Sequence, residues 1–295
     1  MTKTAFIAIV GCPNVGKSSI LNKLLGQKVA IVSEKPQTTR TKIMGVLTKN
    51  DIQLVFTDTP GFHRARTKLG EKMVKAVGES IAGVDACLFV VEPDGELRSA
   101  ELELLEKFKN QKMPVILAIN KIDTLKHRDA LIERIVRFSS LYDFAAVVPI
   151  SATKGDNMAA LEEELNKLAQ PSDHFFPEDT LTDQPERVIA AEIIREKLLR
   201  LLDKEIPHGI AVSIEKMQER EGTDLLDIDA NIFCEKDSHK GIIIGKNGEM
   251  LKRVSTRARE DMESFFQCRV NLHCWVKVKA DWRNREGLIH NFGLD

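Results

Sequence analysis

Eight residues near the N-terminus, Gly11-Cys12-Pro13-Asn14-Val15-Gly16-Lys17-Ser18, restrict this chain more than any other stretch. They match the pattern GxxxxGK[ST] and lie between an apolar run, Phe6 to Val10, and a helical pattern, Lys17 to Leu25. In that setting the glycines let backbone N–H groups curl around phosphate oxygens. The helix that follows turns its positive end to the same charge. Lys17 is placed to reach a β- and γ-phosphate and the Ser18 hydroxyl to ligate Mg²⁺, with Gly11, Asn14, Val15, Gly16 and Ser19 as further phosphate-loop contacts. An accidental glycine-rich turn is the competing explanation, and the strand-loop-helix context argues against it.

The alternation continues beyond the loop. Phe6 to Val10, Gln53 to Phe56, Cys87 to Val91, Val115 to Ile119 and Ala146 to Ile150 are apolar runs of strand length, suited to a sheet buried on both faces. Lys17 to Leu25, Glu71 to Ile81, Glu101 to Lys109, Arg128 to Leu141 and Met158 to Leu168 carry helical spacing. The pattern predicts an α/β domain, a mostly parallel sheet with helices on both faces, with Lys42 to Thr48 as an antiparallel edge. Periodicity stops between Pro171 and Pro185, a stretch rich in proline, aspartate, serine and threonine. The chain of 295 residues therefore divides into a domain over 1–170, a linker over 171–185 pinned by Phe175 and Phe176, and a domain over 186–295.

The second domain reads as α+β. An amphipathic helix, Glu186 to Leu202, carries Ile189, Ile193, Leu198 and Leu201 among its apolar positions. Ile210 to Lys216 and Ile228 to Glu235 alternate as strands, and a short helix precedes Gly245-Lys246-Asn247-Gly248. A longer helix, Glu249 to Phe266, leads to a strand that sets Val270, Leu272, Cys274, Val276 and Val278 against Asn271, His273, Trp275, Lys277 and Lys279.

Three more short motifs fall at strand C-termini, where open α/β sheets bind ligands. Asp58-Thr59-Pro60-Gly61 offers a carboxylate for Mg²⁺, through water, and the Gly61 N–H for a γ-phosphate. In Asn120-Lys121-Ile122-Asp123 the Asp123 carboxylate can accept two hydrogen bonds from guanine N1–H and its exocyclic amine, which adenine cannot match. Lys121 covers base and ribose with its stem, and Ser151-Ala152 presents the Ala152 N–H to guanine O6. The ligand implied is GTP or GDP with Mg²⁺.

Composition narrows the setting. No apolar run approaches the roughly 20 residues that span a bilayer, and Met1-Thr2-Lys3-Thr4 leads straight into a strand without a signal pattern. Five scattered cysteines form no CxxC pair and read as reduced thiols, so the expected location is cytoplasmic. The net charge of −1 conceals a basic stripe of Lys240, Lys246, Lys252, Arg253, Arg257 and Arg259 against Glu249 alone. A solvated helix face would explain such a run by itself, and so would a plain turn explain a lone GxxG.

Together these residues resemble known families. The first domain is similar to the translation-factor-related small GTPases, in which Gln37-Thr38-Thr39-Arg40 occupies switch I. That resemblance makes Thr39 the Mg²⁺ and γ-phosphate threonine, with Thr38 as the alternative, and Lys17 and Thr39 part of the catalytic set. Gly245-Lys246-Asn247-Gly248 in its element order looks like the GxxG turn of a type II KH domain, which clamps single-stranded RNA backbone. The turn residues with Lys252 and Arg253 are then the RNA contacts. The whole chain, including Phe176-Pro177-Glu178-Asp179, Glu192 to Lys197 and Ile243 to Lys246, resembles the Era family of bacterial GTPases. The resemblance implies a monomeric switch that binds the 3′ end of small-subunit ribosomal RNA in a 30S-type assembly particle. It also implies loose contact with the inner face of the cytoplasmic membrane. An RNA-modification or membrane-associated regulatory GTPase is the rival reading. Ras-like enzymes orient water with a glutamine where this chain has Phe62, leaving His63 as the nearest polar neighbour. Asn14 stands where cation-dependent relatives carry a potassium ligand; a residue capping its own turn is the alternative.

Overall fold

The computed structural model describes residues 1–35, 37–62, 67–127, 129–203 and 206–294. The chain forms two compact units, the second built on residues 184–294.

In the first unit the order is β1 (Lys3–Gly11), α1 (Lys17–Leu25), β2 (Ile43–Lys49), β3 (Ile52–Asp58), α2 (Lys68–Ala82), β4 (Ala86–Val91) and α3 (Ser99–Gln111). β5 (Val115–Ile119), α4 (Asp129–Ser139), β6 (Ala146–Pro149), α5 (Met158–Asn166) and β7 (Gln170–Pro171) complete it. The strands lie in the order β2-β3-β1-β4-β5-β6. All neighbours are parallel except β2 and β3, which pair antiparallel from Ile43↔Asp58 to Lys49↔Ile52. Every residue of β4 and β5 is buried, because helices cover both faces. One core gathers Ile20, Leu21, Leu24, Phe56, Leu161 and Leu165 on the α1 and α5 side. The other gathers Val77, Ile81, Phe89, Leu104, Phe108 and Phe138 on the α2, α3 and α4 side.

β7 is too short for periodicity to reveal. β4 pairs with β1 only from Ile7 onward, and β7 takes up the bare edge at Lys3 and Thr4. The proline-rich stretch after it stays on this unit. Gln53 Oε1 accepts the N–H of Phe175 (2.8 Å) and Phe176 (3.0 Å), the Phe175 ring stands edge-on to Phe6 at 5.0 Å, and the Val46 N–H donates to Leu181 O.

The second unit runs α6 (Glu186–Leu201), β8 (Ala211–Glu219), β9 (Leu225–Cys234), α7 (Asp237–Ile244), α8 (Glu249–Phe266), β10 (Arg269–Val278) and α9 (Glu286–Asn291). Its sheet has the order β10-β9-β8, with β10 parallel to β9 and β8 antiparallel to it. Inward residues of β9 and β10 pack on Ile189, Ile193, Val254, Ala258 and Met262 to form its core. α6 departs from the amphipathic expectation, since Arg195, Glu196 and Lys197 are buried along with its apolar positions. Pairing makes this tolerable: Lys197 Nζ lies 3.0 Å from Glu196 Oε2 and also meets Asp261 of α8, and Arg200 meets Glu196 at 3.0 Å.

Candidate functional site

β1 ends at Gly11 and α1 begins at Lys17, so the intervening loop leaves its N–H groups at the head of α1. Gly16 sits at φ 99°, and a Cβ there would come 2.2 Å from Asn120 Nδ2, so only glycine fits. Lys17 is buried, and its Nζ donates to the carbonyls of Gly11 (3.2 Å) and Cys12 (3.0 Å). Burial lowers its pKa, opposed by the nearby charge of Asp58. Val15 is fully buried, Ser19 is half-buried on the first turn of α1, and Asn14 is exposed in left-handed backbone at φ 65°.

Three oxygens converge beside the loop. Ser18 Oγ donates to Asp58 Oδ2 at 2.5 Å and lies 2.9 Å from Thr39 Oγ1, which lies 3.4 Å from the same carboxylate oxygen. Thr38 points elsewhere, its hydroxyl donating to Lys35 O at 2.6 Å. The geometry thus favours Thr39 over Thr38. Asp58 is fully buried, its Oδ1 has no hydrogen-bond partner among the described residues, and burial pushes its pKa up to about 6 against the pull of Lys17, Ser18 and Thr39. Two hydroxyls and a carboxylate with an orphaned oxygen make a hard donor set, and they fit Mg²⁺.

The far end of the site is held by Asn120. Its Nδ2 donates to Val15 O at 2.8 Å, and its Oδ1 accepts the Ala152 N–H at 3.0 Å. One buried amide therefore ties the phosphate loop, the end of β5 and the end of β6. The Ala152 N–H, expected to face guanine O6, is already engaged by Asn120, so a contact with O6 must be shared. Asp123 Oδ1 accepts from Ser151 Oγ at 2.6 Å. Lys121 Nζ lies 2.8 Å from Glu92, a partner that no motif spacing marks.

Gly61 follows Asp58 closely enough that the Phe62 N–H donates to Gly11 O at 3.1 Å. The Phe62 side chain enters the core of Val77, Ile81 and Phe89, with Lys107 Nζ 4.6 Å from its ring centroid. It is a packing residue, in line with its lack of any group to orient water. His63 lies outside the described residues.

In the second unit Gly245-Lys246-Asn247-Gly248 forms one tight turn between α7 and α8, with positive φ at Gly245 (73°), Asn247 (52°) and Gly248 (78°). Lys246, Asn247, Lys252, Arg253 and Arg257 are exposed around the start of α8. Arg259 leaves the stripe, since it forms a two-pronged bond with Glu263 at 2.8 Å. Of the three isoleucines before the turn, Ile243 is sunk in the core and Ile242 is 50% exposed.

Comparison with known proteins agrees with this arrangement. A family model described as 50S ribosome-binding GTPase matches residues 6–121, and a KH domain model matches residues 205–283. GTPase Era of Clostridium novyi is 50% identical over 294 residues, covering 99% of both chains. GTPase Era of Clostridioides difficile is 47% identical over 295 residues, covering 100% of this chain and 99% of its own. Among solved structures, an Aquifex aeolicus Era variant bound to GDP and AlF4⁻ superposes with a TM-score of 0.95 at 38% identity, covering 99% of each chain. Era in complex with MgGDPNP and nucleotides 1506–1542 of 16S ribosomal RNA superposes at 0.94, also 38% identical, covering 100% of this chain and 99% of that one. With a phosphate loop, the loop Asn120-Lys121-Ile122-Asp123 and a GxxG turn, and matched over its full length by these relatives, the chain belongs to the Era family of GTPases.

Proposed function

We propose that this GTPase uses Mg²⁺ at Ser18, Thr39 and Asp58 and reads guanine through Asp123. We further propose that it clamps the single-stranded 3′ end of small-subunit ribosomal RNA at Gly245 to Gly248, assisting assembly of a 30S-type particle. The observation that carries the reading is the convergence of Ser18, Thr39 and Asp58 beside a buried Lys17. Bound Mg²⁺ would neutralise charge on the β- and γ-phosphate oxygens. Lys17 exchanges its two loop carbonyls for phosphate oxygens, and Gly61 presents its N–H to the γ-phosphate.

The choice of RNA lies with the second unit. The model with a 50S description matches only the nucleotide-binding stretch, whereas the RNA held by the solved relative is the 3′ end of 16S ribosomal RNA. Exposed Lys246, Lys252 and Arg253 supply phosphate contacts, and the head of α8 adds its dipole. RNA modification is not favoured, because the relatives matched over the full length are Era GTPases and a solved one holds 16S ribosomal RNA. No helix among them is long and apolar enough to cross a membrane; peripheral membrane contact and a monomeric state rest on the family resemblance. Crosslinking the protein to RNA in cells and sequencing the fragments tests the reading. Recovery of the 3′ end of small-subunit RNA supports it, and recovery of large-subunit or transfer RNA alone contradicts it.

Hydrolysis without a glutamine after Gly61 needs another source of charge stabilisation. An arginine from a partner is worth about 10³ to 10⁵ in rate, and a monovalent cation held by Asn14 can take part of that role. Intrinsic hydrolysis is expected to be slow and several-fold faster in K⁺ than in Na⁺ at equal ionic strength, with Asn14→Ala removing the difference. Phosphate-release rates check this, and equal rates in the two salts rule the cation role out.

A further inference from the structure

The sheet of the second unit is covered on one face by its helices, and its other face is finished unevenly. On β9, Phe233 is sealed by Phe292, with ring centroids 4.6 Å apart, and Phe292 stands edge-on to the fully buried Trp282 at 5.4 Å. Beside it Asn231 is buried and donates to Glu215. This cover stops short of β10. Trp275 there is 48% exposed, and His273 lies beside it with ring centroids 6.1 Å apart and planes within 26°. Paired with the near-parallel imidazole, the half-exposed tryptophan presents a flat aromatic surface on a sheet edge.

The surroundings say which kind. Alternation along β10 puts Arg269, Asn271, His273, Trp275 and Lys277 on one side, opposite the core residues Val270, Cys274 and Val276. Arg269 and Lys277 are exposed, so a cation stands at each end of the aromatic pair. The acids on this face are Asp227, engaged by Arg220 at 2.7 Å and Asn271 at 2.7 Å, Glu215, engaged by Asn231, and Asp229, in register with His273. A protein-docking patch would be broader and apolar at its centre. Two near-parallel rings between cations match the alternation of base and phosphate in a single strand, where stacking is tolerant of sequence.

We propose that His273 and Trp275 form a base-stacking platform for single-stranded RNA on the outward face of β10, distinct from the GxxG turn, with Arg269 and Lys277 holding flanking phosphates. The platform rests on the reading that this chain binds single-stranded RNA. It extends the contact from the turn to the opposite face of the sheet edge.

The test uses the full chain and the RNA fragment 1506–1542 of 16S ribosomal RNA. The protein has two tryptophans, and Trp282 is fully buried, so quenching on RNA addition reports Trp275. Wild-type fluorescence is expected to fall on binding, and Trp275→Ala to weaken affinity roughly 5- to 150-fold. Trp275→Phe should keep most of the affinity, and Lys277→Ala should lower the salt slope by about one. Thermal melts establish that each variant is folded. Unchanged affinity in folded Trp275→Ala overturns the platform, leaves RNA binding to the turn, and leaves the ring pair to a protein contact. Absence of binding by the wild type instead overturns the RNA reading itself.

Discussion

Replacing Asp123 by asparagine is expected to convert a guanine site into one that prefers xanthine. Ser151 Oγ donates to Asp123 Oδ1 at 2.6 Å, and in the proposed site guanine takes the remaining acceptor positions of the carboxylate. In Asp123→Asn the same serine selects the amide orientation: its hydroxyl keeps the carbonyl oxygen, and the NH₂ group turns to the base. Guanine, which offers donors at N1 and its amine, then meets a donor. Xanthine, with a carbonyl where guanine has the amine, meets a complement. Two hydrogen bonds to a charged acceptor are lost at about 1.5–3 kcal/mol each, so GTP affinity should fall roughly 10²- to 10⁴-fold. Competition binding with GTP and xanthosine triphosphate checks this. Retained GTP affinity with no gain for the xanthine nucleotide would show that Asp123 does not read the base.

Gly248→Asp is expected to abolish RNA binding while leaving RNA-independent GTP hydrolysis intact. A Cβ at Gly248 meets no atom within 4 Å, so the side chain fits, and the left-handed backbone at φ 78° is one that aspartate tolerates. The cost to stability is about 1–2 kcal/mol. The added carboxylate stands at the head of α8, in the turn where phosphate must approach. Loss of two or more charge-assisted contacts predicts an affinity drop of at least about 100-fold. Filter binding beside a phosphate-release assay separates the outcomes. Equal RNA affinity in variant and wild type would remove the turn from the RNA site.

Both variants rest on residues legible in the sequence, because the motif around Asp123 and the GxxG turn at Gly248 require particular chemistry at particular spacings. Gly11 to Ser18, Asp58 and Asn120 to Asp123 all come to strand ends as the alternating pattern requires. What pattern could not supply was the bonding between distant segments. The neighbours Thr38 and Thr39 are the same residue type, and only the fold turns one hydroxyl to Ser18 and the other to Lys35. Asn120 is marked by its motif, but its bond to Val15 spans 105 positions and leaves no local trace. The buried charges of α6 were invisible for another reason. Hydropathy counts Arg195, Glu196 and Lys197 as solvent-seeking, and pairing offsets that cost: Arg195 with Glu192, and Lys197 with Glu196 and Asp261. Alternation sets Trp275 opposite Val276, yet its partial exposure depends on where the C-terminal segment stops covering the sheet.

A chain that joins a GTP site to a site for the 3′ end of small-subunit RNA should tell that RNA from others. The most direct measurement is the affinity of the GDPNP-loaded protein for nucleotides 1506–1542 of 16S ribosomal RNA, set against a single-stranded fragment of large-subunit RNA of equal length at the same salt concentration. A strong preference for the 16S fragment is expected, persisting as salt is raised, because part of the recognition is by base contacts rather than charge. Equal affinities that fall together with salt would contradict it and leave a GTPase with a merely basic surface.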